Sequence, residues 1–305
     1  MILITEFMDD EAVGRLKVAH ATNYAPELAD AQGDIPAKMA GVQALIVRNR
    51  TQVTAALLAA SPDLKYVGRL GVGLDNIDVD ACKARGVEVM PALGANTLSV
   101  AEYVVTNAAI LLRDAYQAKH AMMNGDWPRT QSSGREIGGR MLGLLGFGAN
   151  AQETGRLARA MGMNLIAYDP FLPADHLAWG HAERGEISDV LARADVVSLH
   201  VPLTDETRHM INVESIAQMK AGAVLINAAR GGVVDEEALV AAMASGQVAG
   251  AALDVFETEP LTKEAAEKFK GIKNLVLTPH IAGVTQDSNV RVSAMIADLV
   301  LDRLS

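Results

Sequence analysis

One cysteine, Cys82, stands in 305 residues, so no intrachain disulfide framework is available and the chain is expected in the cytoplasm. The start, Met1 to Phe7, runs straight into a strand-like pattern with no basic leader segment and no A-x-A cleavage site, in keeping with that compartment. Uninterrupted apolar runs long enough to cross a membrane are missing, because Gly, Asn, Arg or Asp breaks each of them; no membrane partner is expected. Positive charge is in deficit, with 27 Lys and Arg against 37 Asp and Glu. A net charge of -10 at pH 7 repels nucleic acid as well as anionic lipid. There is no H-E-x-x-H, no Cys-His cluster and no ligand spacing among the seven histidines, so no metal is expected. Internal repeats, charge blocks and low-complexity tracts are also missing, which leaves solenoid and disordered readings without support.

What is present is half apolar and long enough for two domains. Short Val-, Ile- and Leu-rich runs alternate with Ala-rich amphipathic stretches, the pattern of β-α-β units around parallel sheets. The expected fold is α/β with two domains, each a parallel sheet flanked by helices. One strand set falls at Met1 to Glu6, Ala44 to Val47, Tyr66 to Leu70 and Glu88 to Pro91. A second falls at Met141 to Leu145, Asn164 to Tyr168, Val196 to His200, Ala223 to Asn227, Gly250 to Val255 and Leu275 to Thr278. Between the sets, Thr97 to His120 reads as one helix capped by Asn96 or Thr97, and Asp287 to Leu304 as an amphipathic helix returning to the first domain. This places a substrate-binding domain at 1–97 plus 284–305 and a Rossmann-type cofactor domain at 98–283, with the active site expected in the cleft between them.

Gly143-Leu-Leu-Gly146-Phe-Gly148-Ala149-Asn150-Ala151 follows a strand and opens a helix, giving G-x-G-x-x-A in the context that lends the motif meaning. Gly146 permits the tight turn, Gly148 lets the backbone approach a pyrophosphate, and Ala151 lets helix pack on strand. The next strand ends at Asp169, whose carboxylate suits the adenosine ribose hydroxyls and repels a 2'-phosphate. NAD is the expected cofactor. The alternative is a glycine turn in a purely structural unit beside a solvated aspartate.

Three later segments carry polar residues at strand ends: Asn227-Ala228-Ala229-Arg230 onward to Asp235-Glu236, Leu253-Asp254 onward to Glu259-Pro260, and Thr278-Pro279-His280 onward to Gly283. In this order, with the cofactor glycines upstream, they resemble the three signature blocks of the D-2-hydroxyacid dehydrogenase family. Gly71-Val72-Gly73-Leu-Asp-Asn and Asn96 to Glu102 resemble that family's substrate loop and hinge. The resemblance spans roughly residues 40–290 and implies an NAD-dependent dehydrogenase of small 2-hydroxy acids, in which Val201, Ala228, Ala229, Arg230, Asp254 and His280 complete the cofactor site.

Chemistry assigns the roles independently. Oxidising an alcohol by hydride transfer needs a group that takes the hydroxyl proton and returns it in reverse, which suits His280. Glu259 can hold the imidazole and favour its protonated form by opposite charge. Arg230 offers a planar fork for the substrate carboxylate and the C2 oxygen, and the Gly71, Val72 and Gly73 amides can reach the same carboxylate. The bland alternatives are a structural histidine, an Arg230 paired with Asp235 or Glu236, and a Glu259 that caps a turn. His200 reads as a wall of the cofactor site.

Substrate choice is sought in Leu45-Ile-Val-Arg48-Asn-Arg50-Thr51. Arg48 and Arg50 are two apart at a strand end and are expected on one face. The segment resembles the place where phosphoglycerate-type members bind phosphate, which implies a second anionic group on a three-carbon acid. The regulatory domain common in phosphoglycerate members is not in this sequence, so 3-sulfolactate is placed ahead of 3-phosphoglycerate and malate. If the arginines are merely solvated, glyoxylate or hydroxypyruvate is the alternative, and an NAD-sensing co-repressor-like binding protein is a third. Two departures from the family pattern are Ala149 and Asn150, where Arg and Ile are usual. Met122, Met123 and Trp127 suggest a homodimer contact.

Overall fold

The apolar runs become parallel strands in two separate sheets of the computed structural model, which describes residues 1–113 and 115–305. The chain divides into two compact units, Met1–Asn96 with Val284–Ser305, and Thr97–Gly283.

In the first unit, β1 (Ile2–Ile4), β2 (Thr22–Tyr24), β3 (Ala44–Val47), β4 (Tyr66–Arg69) and β5 (Glu88–Pro91) lie in the order β2-β1-β3-β4-β5. Strand periodicity sends alternate residues to opposite faces. Ile2, Ile4, Ala44 and Ile46 enter one core with Leu16, Ile296 and Val300, whereas Leu3, Leu45, Val47 and Val67 enter another with Ile35, Leu58 and Cys82. Burial on both faces explains why these strands read as continuous apolar runs rather than as alternation. The helix Gln286–Leu304, capped by the Thr285 hydroxyl on Ser288 N, packs closely on β4. A Cβ at Gly68 would lie 2.8 Å from Ile296 Cγ2, so glycine permits the approach.

In the second unit, β6 (Met141–Leu145), β7 (Asn164–Tyr168), β8 (Glu183–Arg184), β9 (Val196–Leu199), β10 (Ala223–Asn227), β11 (Val248–Leu253) and β12 (Leu275–Leu277) lie in the order β12-β11-β10-β9-β6-β7-β8. The chain starts at β6, runs outward through β7 and β8, then resumes at β9 on the other side. The β6/β9 boundary is therefore a switch point, where open α/β sheets bind ligands at the strands' carboxyl ends.

Three expectations are corrected. The helix expected through His120 ends at Arg113, followed by a 3-10 turn at Ala115–Ala118 and a short helix at Lys119–Met123; Asp114 lies outside the described residues. Its buried stripe, Val104, Ala108, Leu111 and Leu112, stops there, and Tyr116, Met122 and Met123 are exposed, so among the described residues no buried apolar stripe sustains the helix further. Asn96 does not cap it, because its Oδ1 accepts no hydrogen bond; the Thr97 hydroxyl instead donates to Asn150 Oδ1 at 2.8 Å. Two short strands, β2 and β8, were not expected. Among the described residues, no helix is long and apolar enough to cross a membrane.

Candidate active site

The turn after β6 carries the glycines. Gly146 has φ 86°, a left-handed conformation that favours glycine. A Cβ there would meet His200 O at 2.6 Å and Val201 Cγ1 at 3.1 Å, so this turn and the end of β9 share one wall. Gly148 caps the helix Ala149–Ala160, and a Cβ built on it meets nothing within 4 Å. The small residue there keeps open space in front of the first helix turn, whose free amides, Ala149 and Asn150 included, favour an anion. Ala151 is fully buried. Asp169, at the end of β7, holds the turn: its Oδ2 accepts from Phe147 N at 2.8 Å and its Oδ1 from Phe171 N and Leu172 N at 2.9 and 3.0 Å. One acceptor position of the carboxylate stays available for a ribose hydroxyl. The set fits a dinucleotide, with the pyrophosphate contact resting on backbone amides because Ala149 and Asn150 carry no charge.

Arg230, Glu259 and His280 come from segments following β10, β11 and β12, three neighbouring strands. Asn227, fully buried at the end of β10, accepts from Ala229 N at 3.1 Å and donates to Arg230 O at 2.8 Å, which sets the Ala228-Ala229-Arg230 turn. At Gly231 a Cβ would lie 1.8 Å from Phe256 O. That contact draws the Arg230 turn against the segment leading to Glu259.

His280 Nδ1 and Glu259 Oε2 lie 2.8 Å apart, with side chains 46% and 36% exposed. Glu259 Oε1 accepts from Phe256 N at 3.0 Å. Burial pushes the Glu259 carboxyl up, but hydrogen bonds from His280 and the Phe256 amide, with the charges of His280 and Arg230, hold it below the usual range. With Nδ1 engaged, Nε2 on the far edge of the ring is the nitrogen that can meet a reacting oxygen. Asp254, 1% exposed, accepts from Ile281 N and Ala282 N at 2.8 and 2.7 Å, so it anchors the His280 segment from below. His200 is held neutral by burial, down to about 4, and shares a 3.0 Å hydrogen bond with Ser198.

The remaining candidates belong to the first unit. Gly71 has φ 147°, and a Cβ there would overlap the Arg69 guanidinium, 1.5 Å from Nη1. Arg69 therefore lies across the loop that continues into Val72 and Gly73. Arg48 and Arg50 do not share a strand face. β3 ends at Val47, and the amides of Arg48, Asn49, Arg50 and Thr51 curl around the buried Glu6 carboxylate, which accepts from them at 2.8 to 3.2 Å. Strand alternation does not extend into that loop, so the arginines diverge. Arg48 donates to Asn289 Oδ1 at 2.7 Å, and burial pulls its guanidinium below the usual range; Arg50 pairs with Asp30 at the surface. A further cation of this unit, Arg69, ends β4 as the register partner of Val47, the last residue of β3.

Residues 105–282 match the profile of the D-isomer specific 2-hydroxyacid dehydrogenase NAD binding domain. The (S)-sulfolactate dehydrogenase of Chromohalobacter salexigens is 50% identical over 98% of this chain and 96% of its own. The chain belongs to the D-isomer specific 2-hydroxyacid dehydrogenase family. Another relative, the hydroxypyruvate reductase of Thermotoga maritima, is 42% identical over 86% of this chain and 85% of its own. The D-lactate dehydrogenase of Aquifex aeolicus, solved with NAD and lactic acid, superposes with a TM-score of 0.85 at 28% identity, covering 100% of this chain and 95% of that one. This dehydrogenase is thus an oxidoreductase of the α/β class that links NAD to 2-hydroxy acids. Sequence reasoning passed over Arg69 and Tyr103, and gave Thr278, the first residue of the third signature block, no role of its own. Arg69 was detectable as a cation two residues before Gly71; Tyr103 and Thr278 carry no charge, and only their contacts single them out.

Proposed function

We propose that this dehydrogenase interconverts 3-sulfolactate and 3-sulfopyruvate with NAD and NADH. The observation carrying the reading is the near full-length, 50% identity to an (S)-sulfolactate dehydrogenase. Stereochemistry supports it. In sulfolactate the sulfonate-bearing carbon outranks the carboxylate in the naming rules, whereas in lactate the methyl does not, so a D arrangement of substituents is named S. A D-specific dehydrogenase is therefore suited to the (S) acid. Arg48, directly after β3, and Arg69, the last residue of the adjoining strand β4, supply cations for the sulfonate, and Arg50, already paired with Asp30, takes no part.

NAD, when bound, accepts the C2 hydride. The chain does the rest. Arg230 holds the carboxylate and C2 oxygen and so aligns C2, a contribution of positioning. His280 Nε2 takes the C2 hydroxyl proton in oxidation and returns it in reduction, and Glu259 fixes the ring through Nδ1. The amides of Gly71 to Gly73 add donors to the carboxylate. Gly146, Gly148, Ala149 and Asn150 receive the pyrophosphate, Asp169 the ribose, and Val201, Ala228, Ala229 and Asp254 line the rest of the cofactor site. A cytoplasmic homodimer completes the reading, supported by the single buried cysteine and by Met122, Met123 and Trp127, all exposed.

The test is kcat/KM for sulfolactate, phosphoglycerate, malate, glycerate and lactate in the wild type and in Arg48→Ala, Arg69→Ala and Arg50→Ala. A charge-assisted contact is worth about 1.5 to 3 kcal/mol, roughly ten- to a hundredfold. The Arg48 and Arg69 changes are expected to remove that factor from sulfolactate and to spare lactate, with Arg50→Ala neutral. Equal use of monoanions, undiminished by either change, would contradict the second-anion site; a preference for glycerate would favour the activity named for the Thermotoga relative.

A further inference from the structure

His280 takes a left-handed backbone, φ 56°, which a residue with a side chain keeps only where its surroundings over-determine it. Asp254 supplies much of that constraint. Its main-chain oxygen accepts from His280 N at 2.7 Å, and its carboxylate accepts from Ile281 N, Ala282 N and, at 2.7 Å, Thr278 Oγ1. A hydroxyl has one proton, and the Asp254 carboxylate accepts it here, so the Thr278 proton is committed to Asp254. The 2.6 Å contact between Tyr103 Oη and Thr278 Oγ1 then has a single direction, with the phenol donating and the threonine accepting. Burial pushes the Tyr103 phenol up to about 12, which keeps that proton in place across the neutral range. Tyr103 lies on the helix Thr97–Arg113, packed against the same core as Val100 and Val104, where a phenyl ring would serve packing equally well. The hydroxyl is what packing does not account for.

We propose that Tyr103 is a positioning residue for His280. The chain from the Tyr103 hydroxyl through the Thr278 hydroxyl to the Asp254 carboxylate holds the segment 278–282 in the conformation that sets the imidazole beside Glu259. The long helix thereby acts on the reaction through one hydrogen-bonded line, without touching substrate or cofactor. This rests on the reading of His280 as the group that moves the C2 proton.

Tyr103→Phe keeps the ring and removes the donor; Thr278→Val breaks the line and Thr278→Ser retains it. Two readouts apply. The first, independent of turnover, is the Cε1–Hε1 NMR signal of His280 in histidine-labelled protein, assigned by its loss in His280→Ala. It is expected to move in Tyr103→Phe and Thr278→Val and to stay in place in Thr278→Ser. The second is kcat for reduction of 3-sulfopyruvate and of glyoxylate, with NADH affinity measured by fluorescence. One lost neutral hydrogen bond predicts a kcat roughly three- to tenfold lower in Tyr103→Phe with NADH affinity unchanged. Thr278→Ser restores it, and no further loss appears when Tyr103→Phe is added to His280→Ala, because groups acting in one line are not additive. An unmoved His280 signal, or a Tyr103→Phe loss that persists in the His280→Ala background, would overturn the proposal. Wild-type turnover in His280→Ala would overturn the acid-base reading and the line with it; a dead His280→Ala beside an unaffected Tyr103→Phe removes the line alone.

Discussion

Glu259 engages two partners at once, the His280 ring at 2.8 Å and the Phe256 amide at 3.0 Å. Its carboxyl is held below the usual range despite the opposing effect of burial. A depressed carboxyl is fully charged above its ordinary range and loses that charge only as the pH falls through the lower, folded-state value. Through the neutral range, then, a full negative charge stands beside the His280 ring, on which oxo-acid reduction draws for its proton. Glu259→Gln keeps a hydrogen-bond acceptor and removes the charge, so the alkaline limb of reduction is expected at lower pH than in wild type. Initial rates of reduction across pH measure this, and an unmoved limb would show that Glu259 orients the ring without acting on its charge. At this scale residue type was informative: a histidine, an acid and an arginine at three strand ends suggested their chemistry before any geometry. Arg50 was misleading, because a spacing of two carries meaning only inside a strand, and Glu6 had already bent the chain into a loop.

Strands buried on both faces were the most legible elements. Their apolar runs have no other use than a core, and β3, β6, β7 and β10 occur at the expected residues, as does β5, in which only Met90 is buried. The edge strands β2 and β8 were not legible, since Thr22–Tyr24 and Glu183–Arg184 carry polar side chains and are held by pairing with a neighbour, which leaves no local pattern. The end of the long helix was hidden for a related reason: helical propensity continues past Arg113, but the buried face does not. One polar residue ties several strand starts together. Asp195, 4% exposed, accepts from Met141 N at 3.0 Å and Lys220 Nζ at 2.8 Å, while its main-chain oxygen accepts from Val224 N at 3.0 Å. Burial pushes its carboxyl up, but these donors and the charges of Lys220 and Arg140 outweigh it and bring it below the ordinary value of 3.8. Its stabilisation is complete above that value and fades as the pH falls through the lower one. Asp195→Asn is expected to cost about 1 to 3 kcal/mol at neutral pH, read by urea unfolding, with the gap to wild type closing in acid. A gap that stays constant down to strong acid would mean that the charge contributes nothing.

For the whole molecule, the fold class was readable because the strand and helix alternation and the glycine turn agree with one another, and consistency across levels is what specifies a fold. Assembly is less readable, since exposed apolar side chains do not name what, if anything, covers them. Met123 and Trp127 are 73% and 76% exposed, and burying them in a twofold interface predicts the mass of two chains by light scattering at micromolar concentration, whereas a single-chain mass would count against the homodimer. The proposed substrate, (S)-3-sulfolactate, is narrower than the family's NAD-linked 2-hydroxy acid chemistry. The most direct measurement is the initial rate of NADH formation, followed by absorbance, from each enantiomer of 3-sulfolactate separately. Turnover of the (S) acid at enzymic rates, with the (R) acid inert, is the predicted result; equal rates from both enantiomers, or no turnover of the (S) acid beside ready turnover of D-lactate, would contradict it.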